Sequence, residues 1–205
     1  MNDVMRMWST APEDAGAATG SRESVGLLLK ILAERTPDVL EDYNRVAHLA
    51  TATAEALGLP ASEVERVELA ARLHDIGKLA IPDTILTKAG PLDDEEWAVM
   101  RTHSEVGQRI LASAPSLAHA AKLVRSQHER YDGRGYPDRL VGEEILIGAR
   151  IIAVSAAFVA MMRQRPFSDA ITVAEALSEL ERCAGTQFDP QIVELFCQLV
   201  RRARP

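Results

Sequence analysis

The stretch SEVERVELAARLHDIGK, Ser62 to Lys78, governs how the chain is read. Its apolar residues recur at helical spacing, with Val64, Val67 and Ala71 on one face and His74 on the same face one turn later. Ser62 followed by Glu65 has the pattern of a capping box, so a helix is expected to start there. His74 then faces inward, and Asp75 stands beside it where a buried helix ends. An imidazole and a carboxylate placed together in this way can both bind a metal, and the carboxylate can bridge two ions. Taken alone, the dipeptide is a weak signal, since such a pair is more often a capped helix end than a metal site.

On the N-terminal side, Val25 to Glu34 reads as a short amphipathic helix. A longer helix starts at Pro37-Asp38, runs to about Leu57 and is ended by Gly58-Leu59-Pro60. On the C-terminal side, Gly77 to Leu92 holds two prolines and two glycines and is a loop or short turns. Asp93 with Glu96 then caps a helix carrying Trp97, Met100 and His103 and continuing to Leu111. A helix over Ser116 to Glu129 stops at Asp132-Gly133-Arg134-Gly135-Tyr136-Pro137, a run too rich in turn formers to stay helical. Later helices are expected over Gly148–Met162, Val173–Arg182 and Pro190–Arg202. With no period-two strand pattern and no internal repeat, the expected fold is an all-α, irregular multi-helix bundle. A flexible leader at 1–22 would precede a single domain at 23–205.

Composition narrows the function classes. Of 205 residues, 47% are hydrophobic but only 4% aromatic, so the core is built from Ala, Leu, Val and Ile, which suits packed helices. A net charge of −7 argues against general nucleic-acid binding, which needs clustered Lys and Arg. Cys183 and Cys197 have neither metal-motif spacing nor the density of a disulfide scaffold, and they read as reduced thiols of a cytoplasmic protein. The apolar segment Ile145–Met162 contains Arg150 and reads as a buried helix, so no membrane partner is expected.

Leu73-His74-Asp75-Ile76-Gly77-Lys78, then His103, then Gln127-His128-Glu129, then Gly133 to Pro137 resemble, in order and spacing, the HD-GYP domain. That is the bacterial subgroup of the HD phosphohydrolase superfamily that degrades cyclic di-GMP. The likeness covers about Asp38 to Phe196. It implies an all-helical bundle around a centre of iron or manganese, where activated water attacks a phosphodiester. It makes His74, Asp75, His103 and His128 metal ligands, Asp75 and Lys78 catalytic, and Lys78 and Arg165 contacts to ligand phosphate. Arg134, Gly135, Tyr136 and Pro137 would form the ligand-facing turn, and the Gly133–Pro137 turn would also serve a protein partner.

The chain departs from that pattern at several ligands. The first ligand histidine of the family falls on Asp42, and a glutamate one turn earlier falls on Asp38. Both are carboxylates on one helix face and still able to coordinate a cation. The paired histidines read Gln127-His128, the late aspartate falls on Ala156, and Val159 replaces a nearby second aspartate. The expected complement is therefore one or two ions, or none. Phosphate recognition is better kept: Lys122 to Arg139 holds five basic residues against three acidic ones in an otherwise acidic chain.

The reading of the residues is thus a domain of cyclic di-GMP signalling that binds cyclic di-GMP or a related nucleotide, or a protein partner, with weak or no hydrolysis. The alternative is an active metal-dependent phosphodiesterase with a rearranged site. Oligomeric state is not legible.

Overall fold

The computed structural model describes residues 19–35, 40–163 and 170–203. Ten α-helices are present among them: α1 Thr19–Arg35, α2 Leu40–Ala56, α3 Ala61–Leu73, α4 Asp83–Leu86, α5 Asp94–Arg101, α6 His103–Ala112, α7 Ala118–Ser126, α8 Ile147–Met161, α9 Val173–Arg182 and α10 Pro190–Arg202. Three 3-10 turns, Ile76–Ala80, Pro115–Leu117 and Gly142–Glu144, join them. Among the described residues there is no β-strand, only an isolated bridge between Ala184 and Phe188. The all-α expectation holds.

The most apolar helix, α8, is the axis of the bundle. It buries Ile151, Ile152, Val154, Phe158 and Val159 and touches α2, α3, α7, α9 and α10. Fully burying each such side chain contributes about 1.5–3 kcal/mol, so this helix supplies a large share of the core. Its one early cation, Arg150, is neutralised by an ion pair with buried Asp189. Asp189 also accepts from Gln191 N at 2.9 Å as the N-cap of α10. No helix among the described residues is long and apolar enough to cross a membrane.

The α2–α3 hairpin is closed as its sequence predicts. Gly58, at φ 73°, follows α2, Leu59 N donates to Ala54 O at 3.1 Å and Gly58 N to Glu55 O at 2.9 Å, which is the Schellman arrangement. Two expectations change. The helix carrying His74 starts at Ala61, with Pro60 in the N-cap position and no side-chain cap, so Ser62 already lies inside it and its capping box does not form. The expected single helix from Asp93 to Leu111 is two helices. It begins with the predicted Asp93–Glu96 capping box but breaks at Thr102. There, Thr102 Oγ1 bonds Val99 O at 2.7 Å, His103 Nδ1 bonds Met100 O at 2.7 Å and Ser104 Oγ bonds Arg101 O at 3.2 Å. Three successive side chains thus take carbonyls of the preceding turn and compete with the helical ladder.

The segment after His74 is equally specific. The 3-10 turn Ile76–Ala80 lies directly on α6, so closely that a Cβ on Gly77 would come within 1.8 Å of His103 O. Only glycine permits this approach, which sets Asp75 and His103 face to face.

Candidate metal centre

Asp75 leaves the end of α3, His103 opens α6 and His128 lies just past α7, whose C-cap is Gln127. Three elements distant in sequence therefore converge, and the ligand atoms of Asp75, His103 and His128 all lie within 4.8 Å of one another. Asp75 Oδ1 is 3.7 Å from His103 Nε2, and His103 Nε2 is 2.8 Å from His128 Nε2. Met100 O can only accept, so His103 Nδ1 carries the proton and its Nε2 lone pair points into the cluster. His74 is oriented likewise, with Nδ1 donating to Ala71 O at 2.7 Å and Nε2 3.4 Å from Asp75 Oδ2. Its ring meets Tyr43 edge-on.

The electrostatics suit a cation. Burial disfavours the charged carboxylate of Asp75, but Lys78, His74 and His103 outweigh it and hold the group far below the usual range, so it is ionised. Burial, then the neighbouring His103, pushes His128 down to about 3, and burial lowers His103 as well. Both imidazoles are neutral at neutral pH, the form that ligates metal. Two nitrogens 2.8 Å apart match adjacent ligands on one ion, where metal–nitrogen bonds run about 2.0–2.1 Å. One carboxylate and two imidazoles suit a borderline divalent ion, so the donor set fits one resident metal.

The cluster sits in a cavity of about 1100 Å³. His74, Lys78, Arg134, Gly135 and Tyr136 line it, His74 standing outside the group of three ligands, and Lys78 Nζ is 2.7 Å from Asp75 Oδ2. Tyr136 stacks on His128 at 5.0 Å between centroids. Gly135 is required where the turn crosses its own root, since a Cβ there would come within 2.3 Å of Arg130 N. Five cationic side chains, Lys78, Arg101, Arg130, Arg134 and Arg139, share the lining with the carboxylates of Asp75 and Glu129. That excess of positive charge attracts a polyanion.

The remaining sequence candidates fall elsewhere. Asp42 is not in the cluster or the cavity lining. Its oxygens face Arg163 at 3.0 Å and Arg45 at 3.6 Å, so two guanidinium groups take the charge that a cation would have met. Pro137 is absent from the lining. Asp38 and Arg165 lie outside the described residues. Gln127 lines the cavity, but its amide Nε2 donates to His74 O at 2.6 Å and braces the backbone next to Asp75. Ala156 lines the cavity within an alanine wall of α8, with Ala153, Ala157 and Ala160. Sequence reading missed Arg101, whose guanidinium carbon lies 5.9 Å from the Trp97 ring and 5.8 Å from that of Tyr136. Its only local signal was the four-residue spacing from Trp97.

The comparisons with known proteins converge on one family. A family model described as "HD domain" matches residues 26–192. The chain is 41% identical to the cyclic di-GMP phosphodiesterase response regulator RpfG of Xanthomonas campestris pv. campestris, over 84% of this chain and 46% of that protein. It is 39% identical to a cyclic di-GMP phosphodiesterase of Thermotoga maritima, over 84% of this chain and 48% of that protein. Identity is also 39% to the 3'3'-cGAMP-specific phosphodiesterase 2 of Vibrio cholerae, over 87% of this chain and 34% of that protein. The chain thus spans less than half the length of these curated relatives. Among solved structures, the fold is similar to Bd1817, an HDG"Y"P protein of Bdellovibrio bacteriovorus, with TM-score 0.65, 16% identity and coverage of 87% of this chain and 60% of that one.

Proposed function

The chain belongs to the HD domain family, in its HD-GYP branch, and from that premise we propose that it is a metal-dependent phosphodiesterase domain acting on cyclic di-GMP or a related cyclic dinucleotide. The single observation that carries this reading is the convergence of Asp75, His103 and His128 within 4.8 Å. Three protein ligands with open positions are enough for a catalytic ion. Relatives named for cyclic di-GMP and 3'3'-cGAMP hydrolysis support the substrate class.

In this reading Asp75, His103 and His128 hold one iron or manganese ion, with His74 at its flank. The ion, when bound, supplies Lewis acidity and an acidified water. Asp75, ionised beside Lys78, would hold the ion and fix the charge of the centre. Lys78, already 2.7 Å from Asp75, turns its ammonium to the phosphate oxygens. Tyr136, whose hydroxyl burial keeps protonated, packs over His128 and excludes bulk water from that side. Arg101, Arg130 and Arg134 offset the charge of the nucleotide in the cavity.

A second reading, nucleotide binding or protein contact with little turnover, is favoured by Ala156, by Gln127 and by the pairing of Asp42 with Arg163. A protein partner would then meet the Gly133–Pro137 turn. Anaerobic purification, followed by measurement of bound iron and manganese and of cyclic di-GMP binding and hydrolysis on one sample, separates the two. Stoichiometric metal with turnover supports the phosphodiesterase; nucleotide binding without turnover supports the second reading. Absence of both metal and nucleotide binding removes the first.

A further inference from the structure

Arg139 stands at φ 57°, and every other positive-φ residue among those described is a glycine. A side chain is strained in this left-handed region, whereas glycine enters it freely. The conformation is imposed by Glu129, whose buried Oε1 accepts from Asp138 N at 2.6 Å and from Arg139 N at 3.0 Å. The neighbouring carboxylate is not the partner of Arg139, because Asp138 is held by Arg125 in a two-pronged pair of 2.6 and 2.7 Å. Among the described residues, no carboxylate lies within ion-pair distance of the guanidinium of Arg139, an exposed residue, nor of Arg101 or Arg134 in the same cavity, whereas Arg125, Arg130 and Arg150 each have one; Arg139 differs from the other two in its backbone. Yet Arg139 lines the same cavity as the Asp75–His103–His128 cluster. A strained cation at a cavity wall, clamped by a buried carboxylate and lacking an internal counter-charge, has the form of an anion contact.

We propose that Arg139 is a specificity-determining contact for the second phosphate of a cyclic dinucleotide, the one that does not face the Asp75–His103–His128 cluster. The inference rests on the cyclic-dinucleotide reading of the cavity. Lys78, in contact with Asp75, serves the phosphate at the cluster, so a compact anion with one phosphate needs Lys78 and not Arg139. A cyclic dinucleotide, with two phosphates on opposite sides of its ring, needs both. Arg139 would thus select for the cyclic, doubly anionic ligand.

The test is calorimetric titration of the full chain with hydrolysis-resistant phosphorothioate analogues of cyclic di-GMP and of linear GpG, which has a single phosphodiester. Arg139→Gly is expected to unfold at the same or a higher temperature, because glycine removes the left-handed strain. It is expected to bind the cyclic analogue at least about tenfold more weakly and the linear one unchanged, the loss of one charge-assisted contact. Arg139→Lys should retain part of the cyclic affinity. If Arg139→Gly binds the cyclic analogue as the native chain does, the proposal is wrong while the cyclic-dinucleotide reading stands. If it loses both ligands equally, the assignment to the second phosphate is wrong. If the native chain binds neither ligand, the functional reading itself fails and this inference goes with it.

Discussion

His128 illustrates how much of the site depends on a single protonation state. Its imidazole lies against His103 and Tyr136, and its pKa falls to about 3 from an ordinary 6.5, with burial the main cause. The folded state therefore refuses a proton that the unfolded chain takes up between these values. Stability is fully present above pH 6.5 and is lost as pH falls through that window. His103 and Asp75, both lowered, act in the same direction. For metal-stripped protein we expect the unfolding midpoint to drop on going from pH 7 to pH 5, with up to about 2 kcal/mol attributable to His128. His128→Gln should flatten part of that slope in a thermal melt series. Replacing a ligand is a harsher test: Asp75→Asn should remove bound metal and lower turnover by more than about 100-fold, since loss even of a partner behind a ligand costs about 10- to 100-fold. Metal analysis and rate measurement on the variant check both parts.

Among the elements, the contact between the Ile76–Ala80 turn and α6 builds the centre. The Cβ of Gly77→Ala would stand 1.8 Å from His103 O, a backbone atom that cannot yield without moving α6. Overpacking of this kind costs about 3 kcal/mol, so denaturant unfolding of Gly77→Ala should show a loss of that size together with weaker metal binding. This element was only half legible. The motif containing His74, Asp75, Gly77 and Lys78 announced itself, and the Asp93–Glu96 cap formed as its spacing required. The break at Thr102 was not visible, because Thr102, His103 and Ser104 each take a carbonyl three residues back, a competition that periodicity does not register. Ser62 misled for the opposite reason: its local pattern was right for a cap, but after the Schellman turn at Gly58 the chain enters the helix with Pro60 as N-cap, two residues sooner. The late helices Val173–Arg182 and Pro190–Arg202 matched to the residue, since Thr172 and Asp189 cap them with their own side chains.

For the molecule as a whole, the ligand set could be read from sequence only as far as its identities went. Which of the named residues meet is a matter of three-dimensional convergence, and it is Asp75, His103 and His128 that do so, while Asp42 is drawn away by Arg163. Arg163 lies 121 positions from Asp42 in the chain, so no local pattern foretold that pairing. The comparisons accord with an active phosphodiesterase at least as well as with a domain that binds without turnover. Ala156 and Gln127 both line the cavity that holds the cluster. We expect Gln127→His combined with Ala156→Asp to raise turnover by at least about tenfold, the inverse of losing ligands, measured against the native chain at equal metal loading. The most direct test of the three-ligand centre is the rate of cyclic di-GMP hydrolysis by anaerobic, metal-stripped protein titrated with manganese or ferrous iron. The expected result is turnover that rises to a plateau at about one ion per chain and is absent in His103→Ala; no turnover at saturating metal, or full turnover without His103, would contradict it.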